Sequence, residues 1–124
     1  MSDSSPGSVA VIGASADPSK YGNKAVRAYL RRGWTVYPVS PRGGEIEGLP
    51  VYKSILDIPA KLDRTSMYVP PTVGLAMLRD IAAKGPGELF FNPGSESDAV
   101  VDAARALGLE PIVACSIVDI GERP

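Results

Sequence analysis

The sequence predicts an α/β fold, in which helices cover both faces of a parallel β-sheet. Five short apolar runs have the composition of strands, and amphipathic segments with helical spacing separate several of them. Glycine or proline ends most of these segments. Strands that alternate with helices form parallel βαβ units, and right-handed crossovers between such units build a doubly wound sheet.

The predicted strands are residues 8–13, 35–39, 65–69, 88–91 and 111–114. In the second strand, Pro38 lacks a backbone donor, which is tolerated only where that edge is unpaired or the strand is ending. We expect a Rossmann-like, doubly wound, five-stranded parallel sheet in the order 3-2-1-4-5. Its topological switch point would lie between strands 1 and 4, where ligands bind in sheets of this kind.

Three helices are predicted between the strands. The first, at residues 23–32, has apolar side chains on one face, and the second, at 72–84, begins after two consecutive prolines. The third is predicted to be capped by Ser95, with Asp98 at the reciprocal position, and to end at Gly108.

The chain organisation predicted from these segments is a flexible N-terminal tail at residues 1–7 and one domain at residues 8–124. A length of 124 residues lies within the range of a single domain. Residues 40–49 are predicted to be a loop, because they contain three glycines. Residues 51–58 fit either a short strand or a helical turn, and the sequence leaves this open.

Composition excludes several classes of partner. The net charge of −1 argues against non-specific binding to nucleic acid or to an anionic membrane, because both need a basic excess. No apolar run approaches the ~20 residues of a membrane span. Cys115 is the only cysteine, which suits a reducing compartment, and we therefore expect a cytoplasmic protein. The expected partner is a small-molecule nucleotide; no protein partner can be named.

No catalytic site or metal site is predicted. The chain contains no histidine, which removes the commonest acid–base group near neutral pH and the commonest zinc ligand. The carboxylates are scattered over loops, and no serine has a histidine that could activate it. We therefore expect no independent catalysis.

The loop after the first strand has the composition of a phosphate-binding loop. It contains Gly13, Ala14 and Ser15, and continues to Lys20 and Gly22 at the start of the first predicted helix. Glycine allows the backbone to approach a phosphate closely, and the free amides of a helix start bind anions. The spacing is not G-x-G-x-x-G, so the loop is longer than in most dinucleotide sites. The alternative is that the glycines serve chain geometry alone.

The end of the second strand favours a ribose that carries an extra phosphate. Dinucleotide sites for NAD place an acidic residue here, whereas this chain has Ser40, Pro41 and Arg42 and no acid before Glu45. A guanidinium at this position suits NADP, with its 2′-phosphate, or coenzyme A (CoA), with its 3′-phosphate. A solvated loop arginine is the alternative.

The residues after the third, fourth and fifth predicted strands indicate a ligand site less strongly. Val69 and Pro70 offer an apolar wall suited to an adenine face, although prolines also begin helices. Asn92 presents an amide towards the same crevice, or forms part of a plain turn. Cys115 is interpreted as a packing residue.

These strand ends together resemble a known family. The segments VAVIGAS, SKYGNKAV, GWTVYPVSP, GLPVYKSILDIP, YVPP and FFNPGSES are similar to the small CoA-binding-domain proteins of the YccU-like family. That family is in turn similar to the nucleotide-binding domain of the succinyl-CoA synthetase α-subunit. The resemblance covers about nine-tenths of the chain and lies in the combination of motifs, since each is common alone.

The resemblance implies a Rossmann-like fold that holds CoA across the carboxyl ends of the strands. The loop from Gly13 to Lys20 would hold the pyrophosphate, and residues 40–42 would lie beside the 3′-phosphate and adenine. Val69 and Pro70 would flank the adenine. Asn92 occupies the position of a glutamine in the family, and its side chain is shorter by one methylene group. The synthetases transfer phosphate through a histidine in another domain, and this chain has no histidine.

Three functional hypotheses follow. The first is a binding module for CoA or an acyl-CoA that has no catalysis of its own. The second is an NADP-binding redox enzyme or sensor. The third is an interaction module whose nucleotide site has decayed, against which the intact Lys20 and Arg42 argue.

Overall fold

The computed structural model describes residues 6–124, and helices separate most of its main strands as the sequence predicts. The predicted tail at residues 1–7 falls mostly outside the described residues. The strands and helices, in chain order, are β1 (Ser8–Ile12), α1 (Tyr21–Arg31), β2 (Thr35–Val39), β3 (Glu45–Ile46), β4 (Leu49–Pro50), a 3-10 helix (Ile55–Asp57), β5 (Arg64–Met67), α2 (Pro71–Lys84), β6 (Glu88–Phe91), α3 (Asp98–Ala106), β7 (Pro111–Val113) and α4 (Ser116–Asp119).

The fold class is confirmed, but the predicted strand order is wrong. Five parallel strands form the sheet in the order β2-β1-β5-β6-β7, which corresponds to 2-1-3-4-5 in the numbering of the predicted strands. The third predicted strand, β5, pairs with β1 and not with the far side of β2. This is the other common order of doubly wound sheets. The chain therefore reverses direction across the sheet between β1 and β5.

Pro38 favours this order, because its missing donor disfavours a further strand beyond β2. Its carbonyl accepts a hydrogen bond from the Tyr52 amide at 2.9 Å on the side of β2 that faces away from β1. A residue in a strand directs its nitrogen and its carbonyl to the same side, so the missing donor of Pro38 lies on that outer side. A full strand could not pair there without losing a ladder bond. A single bridge between Val39 and Tyr52 covers this edge instead.

The core has two layers, one on each face of the sheet. β1 is buried along most of its length, and alternate side chains enter opposite layers. Val9 and Val11 pack with α1 and α4, whereas Ala10 and Ile12 pack with α2, α3 and the 3-10 helix. Because both faces of β1 are covered, its run of apolar residues is continuous and does not alternate with polar ones.

Several local predictions need correction. Ser97, and not Ser95, caps α3: the Ser97 hydroxyl accepts a hydrogen bond from the Val100 amide at 3.1 Å. Ser95 is buried and donates its hydroxyl to the Asn92 carbonyl at 2.7 Å. Helix α4 was not predicted, because its length of 4 residues is too short to show a helical period.

The predicted loop at residues 40–49 contains a small hairpin formed by β3 and β4. Its two turn residues, Glu47 and Gly48, have φ values of 51° and 78°. Positive φ at both central positions is the requirement of a type I′ turn, which matches the twist of the strands that it joins. In the open segment at residues 51–58, the structure has the bridge at Tyr52 and the 3-10 helix.

Among residues 6–124, no helix combines the length and the apolar character needed to cross a bilayer.

Gly22 lies where α1 meets the end of β1. A Cβ atom built at Gly22 would overlap the carbonyl oxygen of Gly13 and would lie 3.2 Å from the Cα of Ala14. Both contacts are with backbone, so no side-chain rearrangement could relieve them. The glycine is therefore required for α1 to begin this close to the strand.

We predict that Gly22→Ala destabilises the protein by more than about 3 kcal/mol, because the helix must move away from β1. Gly74→Ala is the matched control, since Gly74 lies inside α2 and a Cβ there meets only side chains, the nearest at 3.4 Å. That control should change the free energy of unfolding by no more than about 1 kcal/mol. Urea denaturation of both variants is the measurement, and equal losses of stability would contradict the prediction.

Candidate functional site

A cleft of about 720 Å³ opens at the carboxyl ends of β1, β2, β5 and β6. This volume lies within the range of about 300–1,000 Å³ that small-molecule sites occupy. The cleft straddles β1 and β5, where the chain reverses direction across the sheet. Side chains after the carboxyl ends of parallel strands converge at such a point, so residues far apart in sequence meet there.

The cleft brings together most of the residues predicted from the strand ends. Those that line it are Gly13, Ala14, Ser15, Lys20, Gly22, Ser40, Arg42, Val69 and Pro70. Pro41 and Asn92 are not among the lining residues. The lining also includes residues that the sequence reasoning did not select, namely Ala16, Asp17, Tyr21, Gly43, Glu45, Ile46, Tyr68, Pro93, Gly94 and Ser95.

The first residues of the loop after β1 are hydrogen-bonded to the sheet, whereas the amides of the next residues are free. The amides of Gly13 and Ala14 both donate to the Val39 carbonyl of β2, at 3.0 and 3.2 Å. In the described part of the chain, the amides of Ser15 and Ala16 donate no hydrogen bond within the protein. Free backbone donors at the edge of a cleft are available to a bound anion.

Asp17 shapes the middle of the same loop. Its carboxylate accepts hydrogen bonds from the Ser19 amide at 2.9 Å and the Ser19 hydroxyl at 2.7 Å. These hydrogen bonds, with the nearby charge of Lys20, hold the pKa of the Asp17 carboxyl below its ordinary value. The carboxylate thus stabilises a local turn while it remains solvated at the cleft.

The free amides at the start of helix α1 have neither a capping side chain nor an acidic residue in the first turn. Its N-cap residue is Lys20, whose side chain makes no capping hydrogen bond, and its first turn contains no acidic residue. The Lys20 carbonyl accepts from the amides of Asn23 and Lys24 at 3.1 and 3.0 Å. A cation at a helix N-terminus adds to the positive end of the helix dipole and does not offset it. The exposed Lys20 and the free amides therefore place positive charge at this corner, and the nearby Asp17 carboxylate offsets part of it.

Arg42 supplies a second cation from the end of β2. Its side chain is exposed and, within residues 6–124, forms no hydrogen bond or ion pair. The Ser40 hydroxyl accepts from the Arg42 amide at 3.4 Å, a long contact that marks the turn after β2. Glu45 is an acidic lining residue on the hairpin and limits the net positive charge of this wall.

The remaining wall of the cleft is largely apolar. Val69 and Pro70 follow β5, and Ile46 of the hairpin joins them although 23 residues separate Ile46 from Val69. Tyr68 also lines this wall, and its hydroxyl lies 3.3 Å from that of Ser116 in the interior. Burial raises the pKa of Tyr68 to about 12, so its hydroxyl is neutral at physiological pH.

Asn92 is committed to the interior of the protein. Its amide nitrogen donates to the Ser66 hydroxyl at 2.8 Å and to the Met67 carbonyl at 2.9 Å. Its amide oxygen accepts from the Ser116 amide at 2.8 Å. Both amide donors and one acceptor site are occupied, and the side chain joins β5, β6 and α4 beneath the cleft. The sequence located Asn92 correctly at a strand end, but could not show which way its amide points.

The cleft combines the exposed cations Lys20 and Arg42 with free amides and an apolar wall, and Asp17 and Glu45 are its acidic lining residues. The cations, amides and apolar wall suit a phosphorylated ligand with a flat ring. In the part of the chain that the structure describes, no group of three His, Cys, Asp or Glu side chains is placed to hold a metal ion. Cys115 is half-buried and lies outside the cleft lining.

The chain is similar in sequence and fold to known proteins. The α-subunit of ADP-forming acetate–CoA ligase I from Pyrococcus furiosus is 35% identical over 120 residues, covering 84% of this chain and 26% of the ligase subunit. The apo structure of acetyl-coenzyme A synthetase 1 from Ca. Korarchaeum cryptofilum has a TM-score of 0.73 and 30% identity, covering 87% of this chain and 26% of the synthetase. This chain thus spans about a quarter of the length of these relatives.

A structure of similar size also matches. A conserved hypothetical protein from Pyrococcus furiosus has a TM-score of 0.83 and 36% identity, covering 90% of this chain and 97% of the other. The family described as CoA binding domain matches residues 7–120, which is nearly the whole sequence. The predicted resemblance to CoA-binding-domain proteins is confirmed: the chain belongs to the CoA binding domain family.

Proposed function

We propose that the cleft binds coenzyme A or an acyl-CoA, and that this chain is a CoA-binding module without catalysis of its own. The observation that carries the proposal is the start of α1, where an exposed cation lies beside free backbone amides. Lys20 lies at its N-cap, its first turn has no acid, and the preceding amides of Ser15 and Ala16 are free. A pyrophosphate would supply hydrogen-bond acceptors for these free amides and would add negative charge to that of the nearby Asp17 carboxylate.

The other parts of the ligand find matching chemistry in the same cleft. Arg42 is unpaired in the described chain and suits the 3′-phosphate, since a guanidinium can donate two parallel hydrogen bonds to one phosphate. Val69 and Pro70 present apolar surface to the adenine ring. We assign the pyrophosphate to the loop from Gly13 to Lys20, with Gly22 allowing close approach of the helix start. Residues 40–42 would then lie beside the phosphorylated ribose.

The proposed role is binding, because the described residues offer no activated nucleophile. No histidine is present in the chain, and the hydroxyl of Ser15 accepts from the Asp17 amide at 3.1 Å and has no basic group to activate it. The relatives named as ligases are about four times longer. We propose that this chain corresponds to their nucleotide-binding portion and does not itself carry the ligase reaction. Its single cysteine favours the cytoplasm as its place of action.

NADP is the second candidate, because the Arg42 guanidinium could equally donate hydrogen bonds to a 2′-phosphate. The family assignment favours CoA over NADP. Calorimetric titration with CoA, dephospho-CoA, NADP and NAD under identical conditions separates these ligands.

If Arg42 contacts the 3′-phosphate, the affinity for CoA should depend on that phosphate. CoA should bind more tightly than NAD, and removal of its 3′-phosphate should weaken binding about tenfold, because one charge-assisted contact is lost. Arg42→Ala should weaken CoA by a similar factor and leave the affinity for dephospho-CoA unchanged. Arg79→Ala is the matched control, since Arg79 is exposed on α2 outside the cleft. Equal affinity of the parent for CoA and dephospho-CoA would contradict this role.

Lys20 is predicted to contact the pyrophosphate. Lys20→Ala should weaken CoA about tenfold to a hundredfold, since a hydrogen bond to a charged group contributes about 1.5–3 kcal/mol. Titration at low salt measures the loss, with Lys61→Ala as the exposed control distant from the cleft. The midpoint of thermal unfolding without ligand should not change. If Lys20→Ala binds CoA as tightly as the parent, Lys20 does not contact the ligand. If Lys20→Ala unfolds without ligand, the role of Lys20 is structural.

The isolated chain is predicted not to turn over an acyl-CoA. Acetyl-CoA incubated with an equimolar amount of pure protein should release free thiol at the rate of a buffer blank, as measured with a thiol reagent. Sustained release that disappears in Lys20→Ala or Cys115→Ala would show catalysis and overturn the binding-only role.

A further inference from the structure

Glu47, at the tip of the hairpin, has an unusual backbone conformation. Its φ of 51° is the only positive value of a non-glycine residue in the described chain. Left-handed conformations disfavour residues with a Cβ, and glutamate is not among the residues that type I′ turns prefer. A disfavoured conformation persists only where the surrounding structure stabilises it.

The side chain of Glu47 reaches the first turn of α1. Its carboxylate accepts a hydrogen bond from the amide nitrogen of Asn23 at 3.3 Å. Asn23 is completely buried, although asparagine is usually exposed. The same amide nitrogen donates to the Ser15 carbonyl at 2.9 Å, and the amide oxygen accepts from Arg27 at 2.7 Å.

These bonds orient the loop that the proposed function assigns to the pyrophosphate. The Ser15 carbonyl faces Asn23, and the described chain has no cis peptide bond. In a trans peptide the carbonyl and the next amide point in opposite directions, so the free amide of Ala16 is directed away from Asn23. Arg27 holds a second point of the loop by donating to the Pro18 carbonyl at 2.9 Å.

Asn23 also contacts the hairpin, which forms one wall of the cleft. Glu45 and Ile46 of β3 line the cleft, directly before Glu47 in the chain. One buried amide therefore joins the anion-facing loop, through Ser15, to the hairpin wall, through Glu47.

We propose that Asn23 and Glu47 form a clasp that positions the hairpin against the loop after β1 and thereby determines how tightly the cleft holds its ligand. Both are positioning residues, since they act through the loop amides and the hairpin wall. The proposal rests on the proposed function, because the ligand used to test it is CoA.

The first test compares two neutral replacements of Glu47. Glu47→Gln keeps an acceptor oxygen for Asn23, whereas Glu47→Gly removes the side chain and relieves the strained φ. Both remove the same negative charge, so electrostatic repulsion of CoA changes equally. The glycine variant should unfold at the same or a higher temperature, yet should bind CoA about threefold to tenfold more weakly than the glutamine variant. If Glu47 had only a structural role, the variant with the higher unfolding temperature would also bind CoA at least as tightly as the other.

The second test exchanges donor and acceptor. Asn23→Asp removes the donor to Ser15 and Glu47 and places two carboxylates together, so CoA binding should weaken. In the double variant Asn23→Asp with Glu47→Gln, the glutamine amide can donate to the new aspartate. Part of the lost affinity should return, although the bond to Ser15 remains absent. Because Asn23→Asp could fold poorly, the two Glu47 variants are sufficient to decide the proposal.

Hydrogen exchange of the ligand-free proteins supplies a readout that needs no CoA. The Val51 amide donates to the Gly44 carbonyl at 3.0 Å at the base of the hairpin. It should exchange faster in Glu47→Gly than in Glu47→Gln if the clasp holds the hairpin. Equal exchange and equal CoA affinity in these two variants would overturn the clasp while the parent still binds CoA. Failure of the parent to bind CoA would instead overturn the proposed function, and exchange alone would then decide whether the clasp exists.

Discussion

The close contact between the first turn of α1 and the end of β1 is the constraint on which the cleft depends. Gly22 has no room for a side chain because the carbonyl of Gly13 lies directly beside it. Gly13 itself has a φ of 88°, and a Cβ there would lie 2.8 Å from the Tyr68 carbonyl. The three segments β1, α1 and the end of β5 therefore meet backbone to backbone. This packing determines where the free amides of the loop, Lys20 and the side chain of Asn23 are placed.

A buried polar network supports the floor of the cleft. The hydroxyls of Ser66 and Ser116 lie 2.7 Å apart, and Tyr29 donates to Ser116 at 2.8 Å. Asn92, directly after β6, joins this network. Among the described residues, no buried side-chain nitrogen or oxygen lacks a hydrogen-bond partner. A network in which every member is satisfied is rigid, because loss of one partner would leave a buried polar group unpaired.

The cations of the protein are used in two different ways. Arg64, at the opposite end of β5 from the cleft, is 6% exposed and forms ion pairs with Glu88 at 2.7 Å and Asp119 at 2.9 Å. Its guanidinium also lies over the rings of Trp34 and Phe90, at 5.0 and 4.4 Å from their centres. A buried arginine needs such partners, since an unpaired buried charge is very costly. The cations of the cleft remain exposed and keep their hydrogen-bond donors available to a ligand.

The sequence by itself determined the α/β class, the approximate positions of five strands and three helices, and the basic residues at the first two strand ends. These features depend on local patterns, namely apolar periodicity and the residues that end strands and helices. The tertiary structure decided the strand order: the outer edge of β2 carries the outward-facing nitrogen of Pro38 and the bridge from Tyr52, and β5 pairs with β1 instead. It also decided the role of Asn92, whose amide could face ligand or interior until its partners on β5 and α4 were known. Pairing and side-chain direction depend on residues distant in sequence, and local pattern carries no information about which distant partner a group will meet.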